Sequence, residues 1–192
     1  YRKTGAWDQI VPALAAHRID YVLFDKVTPN PTTTQIDEAV ALAKGAGAQA
    51  VLCIGGGSAI DAGKSAAILL ANPQYNASEL YSYKFAPERA VPIIAVNLTH
   101  GTGTEADRVA VATIPESEYK PAIAYDCIYP EWSIDDPALM TGLSEKHTRF
   151  VSIDAVNHCV EAVTSTIASP YSISLGREAV ALVAQYLPAV LK

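Results

Sequence analysis

The stretch CIGGGSAIDAGKS occupies residues 53–65. An apolar run, AVLC, leads into it, and three glycines and a serine then open a helix-like segment. Glycines let a backbone turn sharply and approach a ligand closely. The unpaired N–H groups at a helix start, helped by the helix dipole, attract phosphate. Ser58 is placed to cap this helix, and Lys64, about two turns in, is placed to add a cation. The segment therefore favours an anion. The alternative is a tight strand-to-helix turn with no ligand. In that case Ser58-x-x-Asp61 resembles a capping box, and Asp61 merely closes the helix start.

Two familiar phosphate motifs fail here. A Walker A loop needs glycine five residues before Gly63-Lys64-Ser65, but Ser58 stands there and Gly57 is one position off. That loop wraps phosphate with a fixed number of N–H groups, so the offset matters. The GxGxxG fingerprint fits at Gly55 and Gly57 and fails at Ile60.

On either side of this stretch, helix and strand patterns alternate. Residues 4–17 have helical spacing, and 20–25 (DYVLFD) predict a short strand. Residues 31–47 begin with threonines suited to capping and end in glycines, as a helix does. Residues 48–54 and 90–98 are continuous apolar strands, with the 58–70 helix between them. Such strands alternating with helices predict a parallel sheet covered on both faces. Ligands bind such sheets at the carboxyl ends of the strands. A second Gly/Thr-rich loop, THGTGTEAD (99–107), also follows a strand, and its Thr99, Thr102 and Thr104 offer hydroxyls. Residues 108–114 and 120–134 predict β segments joined by a polar turn. From Ser144 onward only helical patterns remain, which places a domain boundary near Leu143.

The 192 residues carry a net charge of −6, with no Lys/Arg run longer than two, which disfavours a nucleic-acid surface. No apolar stretch is long enough to span a bilayer. The three cysteines are widely spaced, as reduced thiols in a cytoplasmic protein would be. The expectation is a cytoplasmic protein with neither nucleic-acid nor membrane partners. The chain starts in mid-pattern and closes on an apolar helix with nothing after it to pack on. It is expected to be a piece of a longer protein.

Asp154 and His158 stand four apart in a helical stretch and so share one face. A carboxylate and an imidazole so placed suit a divalent metal, although the same spacing also makes ordinary helix-surface hydrogen bonds. Glu161, one turn beyond, is placed either to orient His158 or to sit in solvent.

Five pieces in order resemble the iron-containing (group III) alcohol dehydrogenase family: PNPT (29–32), GGGSAIDAGK (55–64), THGTGTE (99–105), DPAL (136–139) and DAVNHCVEA (154–162). The resemblance implies an α/β fold: a Rossmann-like parallel-sheet nucleotide domain over residues 1–143, then the start of an all-helical metal-binding domain over 144–192. It implies hydride transfer between a small alcohol or aldehyde and NAD or NADP, with a divalent metal, Fe2+ or Zn2+. It also implies a homodimer or higher homo-oligomer. Gly56, Gly57 and Ser58 would then hold the pyrophosphate, with Asn30, Thr99 and Thr102 near the cofactor and Lys120 reaching its ribose. Asp154 and His158 match the first two of four metal ligands, the other two being expected beyond Lys192. The residue that separates NAD from NADP is expected before Tyr1. Leu98, His100 and Asp107 depart from the family pattern. The alternatives are a P-loop-like nucleotide hydrolase, suggested by Gly63-Lys64-Ser65, and a glycerol dehydrogenase or dehydroquinate synthase on the same plan.

Overall fold

The computed structural model describes residues 2–192. The chain forms two compact units. One contains the residues up to Leu98 together with Gly103–Leu139, and the other contains Thr99–Thr102 and Met140–Lys192.

The first unit runs α1 (Ala6–Ala16), α2 (Thr33–Gly45), β1 (Val51–Gly55), α3 (Gly57–Ala71), α4 (Ala77–Tyr81), β2 (Ile93–Asn97), β3 (Val109–Val111), β4 (Ala122–Ala124) and β5 (Trp132–Ile134). Strands β1, β2 and β5 form a parallel sheet in that order, with Cys53 opposite Ala95 and Ile54 opposite Val96. β3 and β4 form a separate antiparallel hairpin. Side chains alternate across a strand. Cys53, Ile93 and Ala95 enter the main core with Ile60, Ala67 and Ile68 of α3 and Ile36 and Val40 of α2. Ile54 and Val96 point the other way and pack with Ala6 and Ile10 of α1 and with Leu98 and Leu139. Side chains of β1 and β2 are therefore packed on both faces, which is why these two strands read as unbroken apolar runs, whereas β5 is exposed along its length.

Helix α2 starts at a capping box: Gln35 N donates to Thr32 Oγ1 at 3.2 Å, and Thr32 N donates to Gln35 Oε1 at 3.3 Å. Helix α3 lies directly on β1, because a Cβ built at Gly63 would fall 2.2 Å from Cys53 Sγ and 3.3 Å from Val51 Cγ1. Gly63→Ala is therefore expected to lower unfolding free energy by about 1–3 kcal/mol, despite alanine's better helix propensity. Chemical denaturation measures this. Adding Cys53→Ala, which removes the obstructing sulfur, should restore part of the loss. A Gly63→Ala protein more stable than the parent would contradict the packing.

The structure departs from the sequence expectation in two places here. Residues 20–25 form no strand. Tyr21 and Val22 are exposed, and among the described residues no strand pairs with the outer edge of β1. Strand propensity expresses pairing and burial, and this run obtains neither. The single β segment expected over 120–134 is broken by a 3-10 turn at Asp126–Ile128. Its first part pairs with β3 and its last part joins the parallel sheet beside β2.

The second unit consists of α5 (Glu145–Thr164), α6 (Pro170–Val190) and the short loop Thr99–Thr102. Ser144 caps α5, and Ser169 caps α6 with Pro170 in its first turn. Gly176 lets α6 approach α5 closely, since a Cβ there would lie 2.9 Å from Val163 Cγ2. Gly101 has φ +115°, and a Cβ there would lie 2.3 Å from the Val151 carbonyl oxygen. Conformation and space both require glycine where this loop rests on α5. No helix among the described residues is long and apolar enough to cross a membrane.

Candidate cofactor and metal sites

The glycine turn sits at the carboxyl end of β1. Gly55 ends the strand, where a Cβ would meet Ala59 Cβ at 2.6 Å. Gly56 is the N-cap of α3, and no side chain caps it. The first N–H groups of a helix have no partner within it, so the turn presents Gly57 and Ser58 as donors beside a positive dipole end. Ser58 was expected to cap the helix. Instead it lies inside the first turn, and its Oγ accepts from Asn30 N at 3.2 Å. Asn30 adopts a left-handed conformation, φ 57°, which asparagine tolerates better than most residues. Its Oδ1 accepts from Lys120 Nζ at 2.7 Å. Asn30, Ser58 and Lys120 thus meet beside Gly56 and Gly57. Backbone bonds hold the parts: Thr113 N donates to Pro31 O at 2.8 Å, and Thr33 N donates to Thr113 O at 3.0 Å.

Behind this turn the structure corrects three further expectations. Asp61 closes no capping box. Its Oδ1 accepts from Thr104 Oγ1 at 2.6 Å and its Oδ2 from Val111 N at 3.1 Å. Lys64 adds no cation to the glycine turn. It is 0 % exposed, and its Nζ donates to Thr104 Oγ1 (3.0 Å), Asp107 O (2.8 Å), Asp107 Oδ1 (2.9 Å) and Val109 O (2.9 Å). The Thr104 hydroxyl is used up in the same network and faces no ligand. Burial raises the Asp61 pKa to about 6, against the pull of Thr104, the Val111 N–H and Lys64. A fully engaged lysine cannot serve as a Walker lysine, which removes the structural basis of the P-loop alternative. The sequence signal for this network was a pair of opposite charges three apart in an otherwise apolar helix. Such charges stay buried only when paired.

Thr99 and Thr102 belong to the second unit, in the loop carried on α5. His100 Nε2 pairs with Ser152 Oγ at 2.8 Å, and burial lowers the imidazole pKa, favouring the neutral ring. On α5, His158 Nε2 and Asp154 Oδ2 lie 3.5 Å apart, with side chains 53 % and 44 % exposed. Two donors held about 2.1 Å from one ion at a tetrahedral angle lie about 3.4 Å from each other, so this separation is compatible with a shared divalent cation. No group of three or more metal-binding side chains occurs among the described residues. Glu161 does not orient His158. Its Oε1 accepts from Asn157 Nδ2 at 2.9 Å.

The glycine-rich helix start lies at the carboxyl edge of a parallel sheet, the edge at which α/β folds bind ligands. The family model for iron-containing alcohol dehydrogenases matches residues 1–137. The chain belongs to that family. It is 59 % identical over 189 residues to the long-chain primary alcohol dehydrogenase AdhA of Thermoanaerobacter ethanolicus, covering 98 % of this chain and 47 % of the relative. The NADH-dependent butanol dehydrogenase A of Thermotoga maritima superposes with a TM-score of 0.92 at 30 % identity, covering 98 % of this chain and 47 % of that one. An iron-containing alcohol dehydrogenase of the same organism superposes with a TM-score of 0.91 at 28 % identity, covering 99 % and 52 %. The chain spans about half the length of the relatives it matches.

Proposed function

We propose that this protein is an oxidoreductase that transfers a hydride between a small alcohol or aldehyde and NAD(H), using a divalent metal, iron in our assignment. The observation that carries the proposal is the meeting of Asn30, Ser58 and Lys120 at the Gly56–Gly57 helix start. In this assignment the N–H groups of Gly57 and Ser58 receive the diphosphate, and Lys120 adds positive charge beside it. Asn30 holds the Lys120 ammonium in place, and Thr99 and Thr102 contribute hydroxyls to cofactor binding. Asp154 and His158 are two of the metal ligands. When bound, the cation supplies Lewis-acid polarisation of the alcohol oxygen, and the nicotinamide supplies the hydride acceptor. Standing on successive turns of α5, Asp154 and His158 hold their donors on one face, so a cation there has its position set by α5.

NAD rather than NADP is supported by the butanol dehydrogenase of the same fold, described as NADH-dependent. The test is a parallel titration of the full natural protein with NADH, NADPH and ATP, followed by elemental analysis. NADH should bind in the micromolar range, with one equivalent of iron or zinc per chain. ATP binding and hydrolysis without NADH binding would overturn the assignment.

A further inference from the structure

Asp61 and Lys64 lie one turn apart on α3, and their charged atoms point into the protein. Between them they grip β3 at both ends: Lys64 Nζ on the Val109 carbonyl and Asp61 Oδ2 on the Val111 N–H. β3 leads on to Thr113, whose backbone holds Pro31 and Thr33 on one side. Its partner strand β4 is entered through Pro121, whose carbonyl accepts from Ala112 N at 3.4 Å, and Lys120 stands immediately before it. The two members of the Asn30–Lys120 pair thus hang on a single short hairpin, and that hairpin is registered on α3 by charged, directional bonds. Apolar packing alone would leave its register along the helix free to slide, whereas directional bonds admit one arrangement.

We propose that Asp61 and Lys64 are positioning residues. By locking β3 onto α3 they set the Asn30–Lys120 pair against Ser58 and thereby set dinucleotide affinity. This role presupposes that the Gly56–Ser58 turn binds the dinucleotide. It goes further in giving two residues that touch no ligand a defined effect on its binding.

The test is a double-mutant cycle on the full natural protein, read as the NADH dissociation constant from nicotinamide fluorescence. Asp61→Asn and Lys120→Ala are each expected to weaken binding about tenfold, and the double variant to bind within about twofold of Lys120→Ala. A role confined to fold stability predicts wild-type affinity in Asp61→Asn instead, and an effect on binding by a route separate from Lys120 predicts a double variant weakened about a hundredfold. Either result overturns the positioning role. If Asp61→Asn does not fold, Thr104→Val takes its place in the cycle, and Thr104→Ser, which keeps the hydroxyl, should restore affinity. Unchanged NADH binding in both Lys120→Ala and Ser58→Ala would overturn the dinucleotide assignment and this role together. Weakened binding in those two but not in Asp61→Asn or Thr104→Val would overturn this role alone.

Discussion

His158→Ala is expected to empty the metal site of the full natural protein and to lower alcohol oxidation by about 100-fold or more, a loss at least as large as that from disturbing a ligand's supporting groups. The same is expected of Asp154→Ala. Two donors 3.5 Å apart on successive turns of α5 are placed to share one ion, and neither side chain alone can hold it. Both side chains are about half exposed, so an exposed i,i+4 pair contributes at most about 0.5 kcal/mol to the fold. The metal-free variant should therefore melt where the metal-free parent melts. Elemental analysis, turnover and metal-free melting together separate a ligand from a surface hydrogen bond. A variant that keeps its metal and its turnover would show that the pair only decorates the helix.

Lys64→Met is expected to destabilise the first unit by about 3 kcal/mol or more, because it removes the fully buried charged donor that the Thr104 hydroxyl, the Asp107 carboxylate and two backbone carbonyls share. In a protein of this size that corresponds to a fall of roughly 6–12 °C in melting temperature. The Lys64 ammonium is the shared donor to Thr104, Asp107 and Val109, and its charge favours the ionised form of the part-buried Asp61 carboxylate. Asp107 is 40 % exposed and can turn to water, whereas the part-buried Asp61 carboxylate is held by the Thr104 hydroxyl and the Val111 N–H. The pH dependence then has a definite sign. The folded-state pKa of Asp61, about 6, lies above its ordinary value of 3.8. Its contribution to stability is therefore complete below about pH 4 and is lost as pH rises through 6. Without Lys64 the folded pKa rises further and the loss deepens. The Lys64→Met protein should accordingly regain stability relative to the parent between pH 8 and pH 5, as followed by denaturant melts. A variant equally stable at both pH values, or one as stable as the parent, would show that Lys64 does not compensate Asp61.

Much of the first unit was legible because its signals are local. Apolar runs at 48–54 and 90–98 have the length of buried strands. Thr32 and Gln35 have the spacing of a capping box, and three glycines after a strand mark a close turn. Gly56, Gly57, Ser58, Asn30 and Lys120 were singled out together only through family resemblance. Nothing in their spacing reveals that a residue at 120 reaches one at 30. The 99–107 loop was legible as flexible and hydroxyl-rich, but not as a segment shared between two packing units, with Gly101 seated on α5 and Thr104 buried against α3. Ser58 does not cap the helix, and the alternative reading of Asp61 as the close of a capping box fails, for one reason. A capping box is defined by spacing, and here tertiary partners, Asn30 for one and Thr104 with Val111 for the other, offered those side chains better bonds.

The sequence alone established an α/β unit with a glycine turn after an apolar strand, a helical segment after it, and a carboxylate–imidazole pair on one helix face. All of these follow from periodicity and near-neighbour spacing. Tertiary structure settled where Lys64 sends its charge, that residues 20–25 remain outside the sheet, and that 120–134 divides between two sheets. Each of these depends on which donor or strand edge lies across a gap in space, and residues far apart along the chain supply it.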